Sequence, residues 1–234
     1  MKNFLLRLFI LCCLLYSNTT FAQNCLDEVV HNKLYSGSID IINGTRWIYE
    51  KKYLGSPLLI ENYWPKADIL YKGVHYTGIL MNYDVYKKEM IIFHPERGKE
   101  KFVVISNDYL SGFSFTDTAI NRKRLYEYIE LPGIKGKALY EKVSGSKISL
   151  FVKPVKNVAA NFTGQGNGKF FTYYEYYLDT GNGFGSFRSK NQLFTLLKNH
   201  HAELSRFIRK NRLRINDKSP GDIITVIDYY NGLN

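Results

Sequence analysis

The chain has little cysteine, no metal-ligand spacing among its histidines, and no apolar run long enough to cross a membrane as a helix. Of three cysteines in 234 residues, Cys12 and Cys13 lie in the first 22 positions, and only Cys25 lies beyond them. One cysteine closes no intramolecular disulfide, so the fold must be held by its hydrophobic core. Cys25 itself is expected as a frayed thiol near the mature terminus. The five histidines, His31, His75, His94, His200 and His201, stand in no zinc-site spacing, and adjacent His200 and His201 point apart on a helix. There is no Gly-x-Ser-x-Gly elbow, and the scattered Asp and Glu cannot be placed as a pair on one cleft. No catalytic residue, metal ligand or cofactor is expected from these residues. Acidic residues are scarce too: 21 against 32 Lys and Arg give a net charge of +11, which favours anionic partners.

What is present begins with a leader. Lys2 and Arg7 form a positive n-region, residues 8–16 an unbroken apolar h-region, and Thr20-Phe21-Ala22 places small residues where a signal peptidase reads them. Residues 1–22 are therefore expected to be a signal peptide cleaved between Ala22 and Gln23. A spanning helix needs roughly 20 apolar residues, and polar residues 17–20 follow the run at once. None of the cysteines follows a small residue, so a lipoprotein is not expected. Cleavage lowers the net charge from +11 to +9, because only Lys2 and Arg7 are lost. The expected location is the periplasm, the outer membrane surface or the medium, which disfavours nucleic acid as a partner. The sequons at 43–45 and 161–163 carry no meaning in a bacterial protein.

After an N-terminal segment, 23–45, the pattern over 46–187 is one of short β-branched and aromatic runs separated by turn residues. Such spacing predicts consecutive antiparallel strands. They are expected at 46–53, 67–72, 75–83, 89–94, 101–106, 112–115, 125–130, 137–143, 147–153, 169–178 and 185–187. Pro95-Glu96-Arg97-Gly98 suits a type I turn, while Lys72-Gly73, Ser144-Gly145 and Gly181-Asn182-Gly183 suit hairpin loops. The glycine-rich 164–168 lacks a strand–loop–helix setting and reads as a hairpin tip, not a phosphate cradle. In the run 170–177, Phe171, Tyr173, Glu175 and Tyr177 share one strand face and Phe170, Thr172, Tyr174 and Tyr176 the other. Aromatics on both faces suit a strand covered on both sides.

From Phe187 on the period becomes helical. Ser189 with Gln192 forms a capping box, followed by apolar Leu193, Leu196 and Leu197. Asn199 is expected to cap a second helix carrying Leu204, Phe207 and Ile208. Ser219, with Pro220 and Asp222, opens a third whose inward stripe is Ile223, Ile224, Ile227 and Tyr230. Residues 188–214 hold eight basic residues against Glu203 alone. Arg206, Arg209, Lys210 and Arg212 are the expected contact with an anionic surface.

The stretch Trp64-x3-Asp68-Ile69-Leu70-Tyr71-x-Gly73-x2-Tyr76, running into Asn82-Tyr83-Asp84 and Met90-Ile91-Ile92, resembles a group of exported proteins from Bacteroidota that carries no assigned activity. Ser189-Lys190-x2-Leu193, Asn211-Arg212-Leu213 and Tyr229-Tyr230 extend the resemblance over most of the mature chain. It implies a bacterial envelope protein and no particular chemistry.

The expectation is thus an α+β protein, mainly β: an antiparallel meander forming a curved sheet or partial barrel, capped by two or three C-terminal helices over 188–234. The expected role is non-catalytic binding, either of an amphiphilic ligand in the sheet's concavity or of an anionic envelope component, another envelope protein included. An exported hydrolase using β-loop carboxylates and a structural accessory of an envelope assembly are the alternatives.

Overall fold

A computed structural model of the chain describes residues 44–48, 53–96, 99–159, 168–197 and 199–233. The expected signal peptide with its cleavage site at Ala22 and Gln23 lies outside these residues. So do Cys25, His31, the 161–163 sequon, Arg97-Gly98 and most of the glycine-rich tip.

The architecture is mainly β, as expected. Eleven antiparallel strands form one sheet that does not close, in the order β1-β5-β4-β3-β2-β6-β7-β8-β9-β10-β11. The strands are β1 Thr45–Arg46, β2 Lys66–Tyr71, β3 Val74–Asp84, β4 Glu89–Glu96, β5 Lys99–Ile105, β6 Leu110–Asp117, β7 Arg122–Ile129, β8 Ala138–Ser144, β9 Ser149–Ala159, β10 Lys169–Asp179 and β11 Phe184–Phe187. Three helices follow: α1 Lys190–Leu197, α2 His201–Lys210 and α3 Pro220–Gly232.

Sequential order breaks twice: β1 pairs with β5 and not with β2, and β6 pairs with β2 and not with β5. Only residues 106–109, including one 3₁₀ turn, join β5 to β6. The Asn107 amide donates to the Lys88 carbonyl, and the Tyr109 carbonyl accepts the Lys72 N–H at 2.9 Å. Residues 72 and 88 flank β3, which would span about 33 Å if straight, whereas two residues of chain reach about 7 Å. β3 must therefore double over, and the means are local. Gly78 sits at φ +68°, β3 carries one extra residue there against the step from Ala67 to Ile69 of β2, residues 74–80 pair with β2 and residues 81–84 with β4. The strand turns a corner and the sheet curls with it.

One row of side chains crosses most of the sheet on a single face. Register places Ile69, Phe113, Tyr126, Glu141, Val152, Tyr176 and Phe187 side by side on β2 and β6 to β11, and every one is buried. The helices cover the C-terminal end of this face. Leu193, Leu204, Ile223, Val226 and Ile227, none of them exposed, pack against Val152, Tyr176, Leu178 and Phe187, each burial stabilising by about 1.5–3 kcal/mol. The opposite face carries a smaller cluster of Leu131, Tyr140, Phe151 and Tyr177. Strand β10 is thus covered on both sides at Tyr176 and Tyr177, but its first half reaches the surface, where Phe171 is exposed.

Several boundaries differ from the expected ones. Of the strand expected over 46–53, the described part is Thr45–Arg46, and residues 49–52 lie outside the described residues. Past it Trp47 still donates its N–H to the Phe102 carbonyl of β5 at 3.0 Å, while its ring packs on Phe102 and its indole donates to Asp84 Oδ2 at 3.2 Å. β4 continues through Pro95, paired with Glu100, beyond its ladder with β3, so no type I turn begins at Pro95. Ser189 accepts the Gln192 N–H, and Gln192 Oε1 accepts the Arg188 N–H at 2.8 Å, so the expected capping interaction forms one residue wider than a standard box. α2 is capped by His200 in the left-handed region, φ 61°, rather than by Asn199. Ser219 precedes α3 but makes no side-chain capping bond. Among the described residues no helix is long and apolar enough to cross a membrane.

A cationic cleft where the sheet divides

The sheet comes apart between β8 and β9, and a proline explains where. Tyr174 donates its N–H to the Asp217 carbonyl at 2.8 Å, away from β9. Both backbone polar groups of a strand residue face the same edge, so the Tyr174↔Pro154 pair of β10 and β9 is a non-hydrogen-bonded one. The Pro154 nitrogen therefore faces β8. The ladder between β8 and β9 ends at Glu141↔Val152. The next β9 residue facing β8 is Pro154, which has no N–H to give. β9 itself runs on to Ala159, held by β10, where a stop at Lys153 was expected. The proline costs β9 nothing on its β10 side.

Beyond that point β8 and β9 diverge around a cleft of about 520 Å³. Residues 138–140 form one wall and 153–157 the other, with 134–137 at the rim. Tyr83, Val85, Tyr86 and Lys88, from the end of β3 and the turn after it, stand across from them, with Tyr173 and Glu175 from β10. Its volume lies within the range of roughly 300–1,000 Å³ typical of small-molecule sites.

The charges in the cleft do not balance. Glu175 is bound by Lys153 Nζ at 2.9 Å and by the Tyr177 hydroxyl at 3.0 Å. Burial works against its charge, but Lys153, the Tyr177 hydrogen bond and Arg188 outweigh burial and hold the carboxyl below its ordinary value of 4.5. Lys156 is engaged by the Ser56 carbonyl at 2.8 Å and by Glu61 at 2.5 Å. Lys88, Lys135 and Lys137 are exposed and have no acidic partner among the described residues. The Tyr140 hydroxyl is buried without a hydrogen-bond partner there, an arrangement costing about 1–3 kcal/mol. Burial and the nearby Glu175 charge raise its pKa, as burial does for Tyr83. The phenols are hydrogen-bond donors, and the carboxylate is ionised and neutralised.

A second polar cluster lies on the helix-covered face. Arg124 grips Glu141 through two bonds of 2.7 and 3.1 Å, reaches Asp117 at 3.4 Å, and lies over the Phe115 and Tyr126 rings. Tyr126 also donates to Glu141 at 3.3 Å. Sequence reasoning left these carboxylates unplaced. The signal was the alternation of Arg124 with Tyr126 on β7, which puts the arginine on an inward position. Asp84 and Glu89, cross-strand neighbours on β3 and β4, both have pKa values raised by burial. Neither Asp117, Glu141, Asp84 nor Glu89 lines the cleft.

The residues expected to meet an anionic surface are placed together in part by α2. Arg206, Arg209 and Lys210 are exposed at helical spacings of three and four. Arg212 is exposed in the following turn at φ 54°. None has an acidic partner among the described residues, and Glu203, the one acid of this segment, is engaged by His200 at 2.5 Å. Leu204 and Ile208 face inward, and Phe207 stacks on Tyr229 of α3 with ring centres 3.8 Å apart. Among the described residues no group of three or more His, Cys, Asp or Glu is placed to hold a metal ion. Compared with family models, curated proteins and solved structures, the chain matches none.

Proposed function

We propose that this chain is an exported, non-catalytic binding protein of the bacterial envelope that attaches to anionic envelope lipid through the α2 face. The observation that carries the reading is the exposed group Arg206, Arg209, Lys210 and Arg212, with no acidic partner among the described residues. The signal-peptide reading of residues 1–22 supports the compartment. Each basic residue held near an anionic leaflet contributes about 1 kcal/mol, enough for reversible, salt-sensitive attachment. The lysines of the cleft favour an anionic partner over a purely apolar one. The hydrolase alternative has less support, because Asp117 and Glu141 are tied by one arginine within the core.

The test is co-sedimentation of the mature chain with vesicles containing phosphatidylglycerol and with neutral phosphatidylcholine vesicles. Retention on the anionic vesicles alone, lost at high salt and in the triple variant Arg206→Glu, Arg209→Glu, Lys210→Glu, is the expected result. Equal retention of the variant rejects the proposal.

A further inference from the structure

We infer that the cleft between β8 and β9 is a binding site for a small anionic saccharide, a pyranose bearing a carboxylate or a phosphate. This goes beyond surface attachment, because the cleft and α2 use different residues. Three observations converge. The cavity is built by the fold itself, since Pro154 ends the β8–β9 ladder and the strands separate there. Lys88, Lys135 and Lys137 stand at its rim without acidic partners among the described residues, while its carboxylate Glu175 is already neutralised by Lys153. An incoming anion therefore meets uncompensated positive charge and no opposing negative one. Tyr86, Tyr128 and Tyr173 add flat faces and hydroxyls, a lining that suits a ring with equatorial hydroxyls better than an acyl chain.

The experiment is isothermal titration calorimetry of the mature chain with digalacturonate, glucose 6-phosphate and neutral galactobiose. Saturable binding is expected for one or both acidic probes and not for galactobiose. The probe that binds tells a carboxylate ligand from a phosphate one. The variant Lys88→Gln, Lys135→Gln, Lys137→Gln should weaken that binding at least about tenfold, and its three sites are exposed, so folding is unaffected. Absence of saturable heat with both acidic probes at millimolar concentration overturns the inference, as does equal affinity for galactobiose or unchanged affinity in the lysine variant. The α2 triple variant should bind the acidic probe as the parent does, so failure of either proposal is recognised separately.

Discussion

Asn231 occupies the space that a side chain on Gly145 would need: a Cβ at Gly145 would overlap the Asn231 amide. The contact joins the last turn of α3 to the β8–β9 turn. Asn231 Oδ1 accepts the N–H groups of Lys147 and Ile148, each at 3.0 Å, and Nδ2 donates to the Ile148 carbonyl at 3.3 Å. A helix end and a hairpin turn, each with orphan backbone groups, thereby satisfy each other. Gly145→Ala should destabilise by about 1–3 kcal/mol through overpacking, and Asn231→Ala by about 1–2 kcal/mol through the lost hydrogen bonds. The two losses should not add in the double variant, since both break one contact. Urea denaturation of the single and double variants measures this, and additive losses would separate the two residues.

The Arg124–Glu141 pair should behave as a buried ion pair. Glu141 is the one acid in the buried transverse row, and Arg124 is its bidentate partner. Arg124→Met should cost about 3–5 kcal/mol, because it leaves Glu141 charged and buried. Arg124→Met with Glu141→Leu should recover most of that loss, since the neighbouring rings of Phe115 and Tyr126 already form an apolar surround. Chemical denaturation compares them, and a double variant no more stable than the single one would contradict the account.

Much of this was legible in the sequence, and the missing parts share a cause. Strand positions could be found because turn chemistry is local: Lys72 and Gly73 both have positive φ in the β2–β3 turn, and Gly181 turns β10 into β11 at φ 71°. The inward stripe Ile223, Ile224, Ile227 and Tyr230 was visible for the same reason, since helical period is read within one element. The doubling over of β3 was not legible, because a glycine at position 78 marks a corner only once strands on both of its sides are known. The cleft was hidden for a deeper reason. Pro154 signals the end of a strand, and only the register with Tyr174 shows that its missing donor faces β8 and ends a different ladder. The cations of α2, by contrast, lie within a few positions of one another and needed only the helical period.

Two carboxylates should give opposite pH slopes. Glu175 is held below its ordinary 4.5, so its stabilising contribution is complete above that value and is lost as pH falls through the folded-state pKa. Asp84 is held above its ordinary 3.8 by burial, despite bonds from the Lys87 N–H and the Trp47 indole. Its ionisation therefore costs stability above the folded-state pKa, and that cost disappears as pH falls toward 3.8. Relative to the parent, Glu175→Gln should look less unfavourable as pH is lowered from about 7 to about 3, and Asp84→Asn more unfavourable. Thermal midpoints by circular dichroism across that range read the two slopes, and a common sign would refute the assignment.

Pro154 should be the residue that keeps the sheet divided. Pro154→Val restores an N–H facing β8 and a side chain suited to a strand, while the β10 side of β9 is unchanged because Tyr174↔Pro154 is a non-hydrogen-bonded pair. The restored donor lies one ladder step beyond Glu141↔Val152, opposite Leu139. The backbone amide gained at position 154 should exchange slowly with solvent, as a ladder hydrogen bond requires, and the cleft should narrow. Affinity for the acidic saccharide should fall about tenfold or more as stability holds or rises, because closure removes the cavity without removing any charged or hydroxyl group that lines it. Hydrogen exchange followed by mass spectrometry, with calorimetry on the same variant, tests both halves. Fast exchange at that amide would show that the strands part for a reason other than the missing donor.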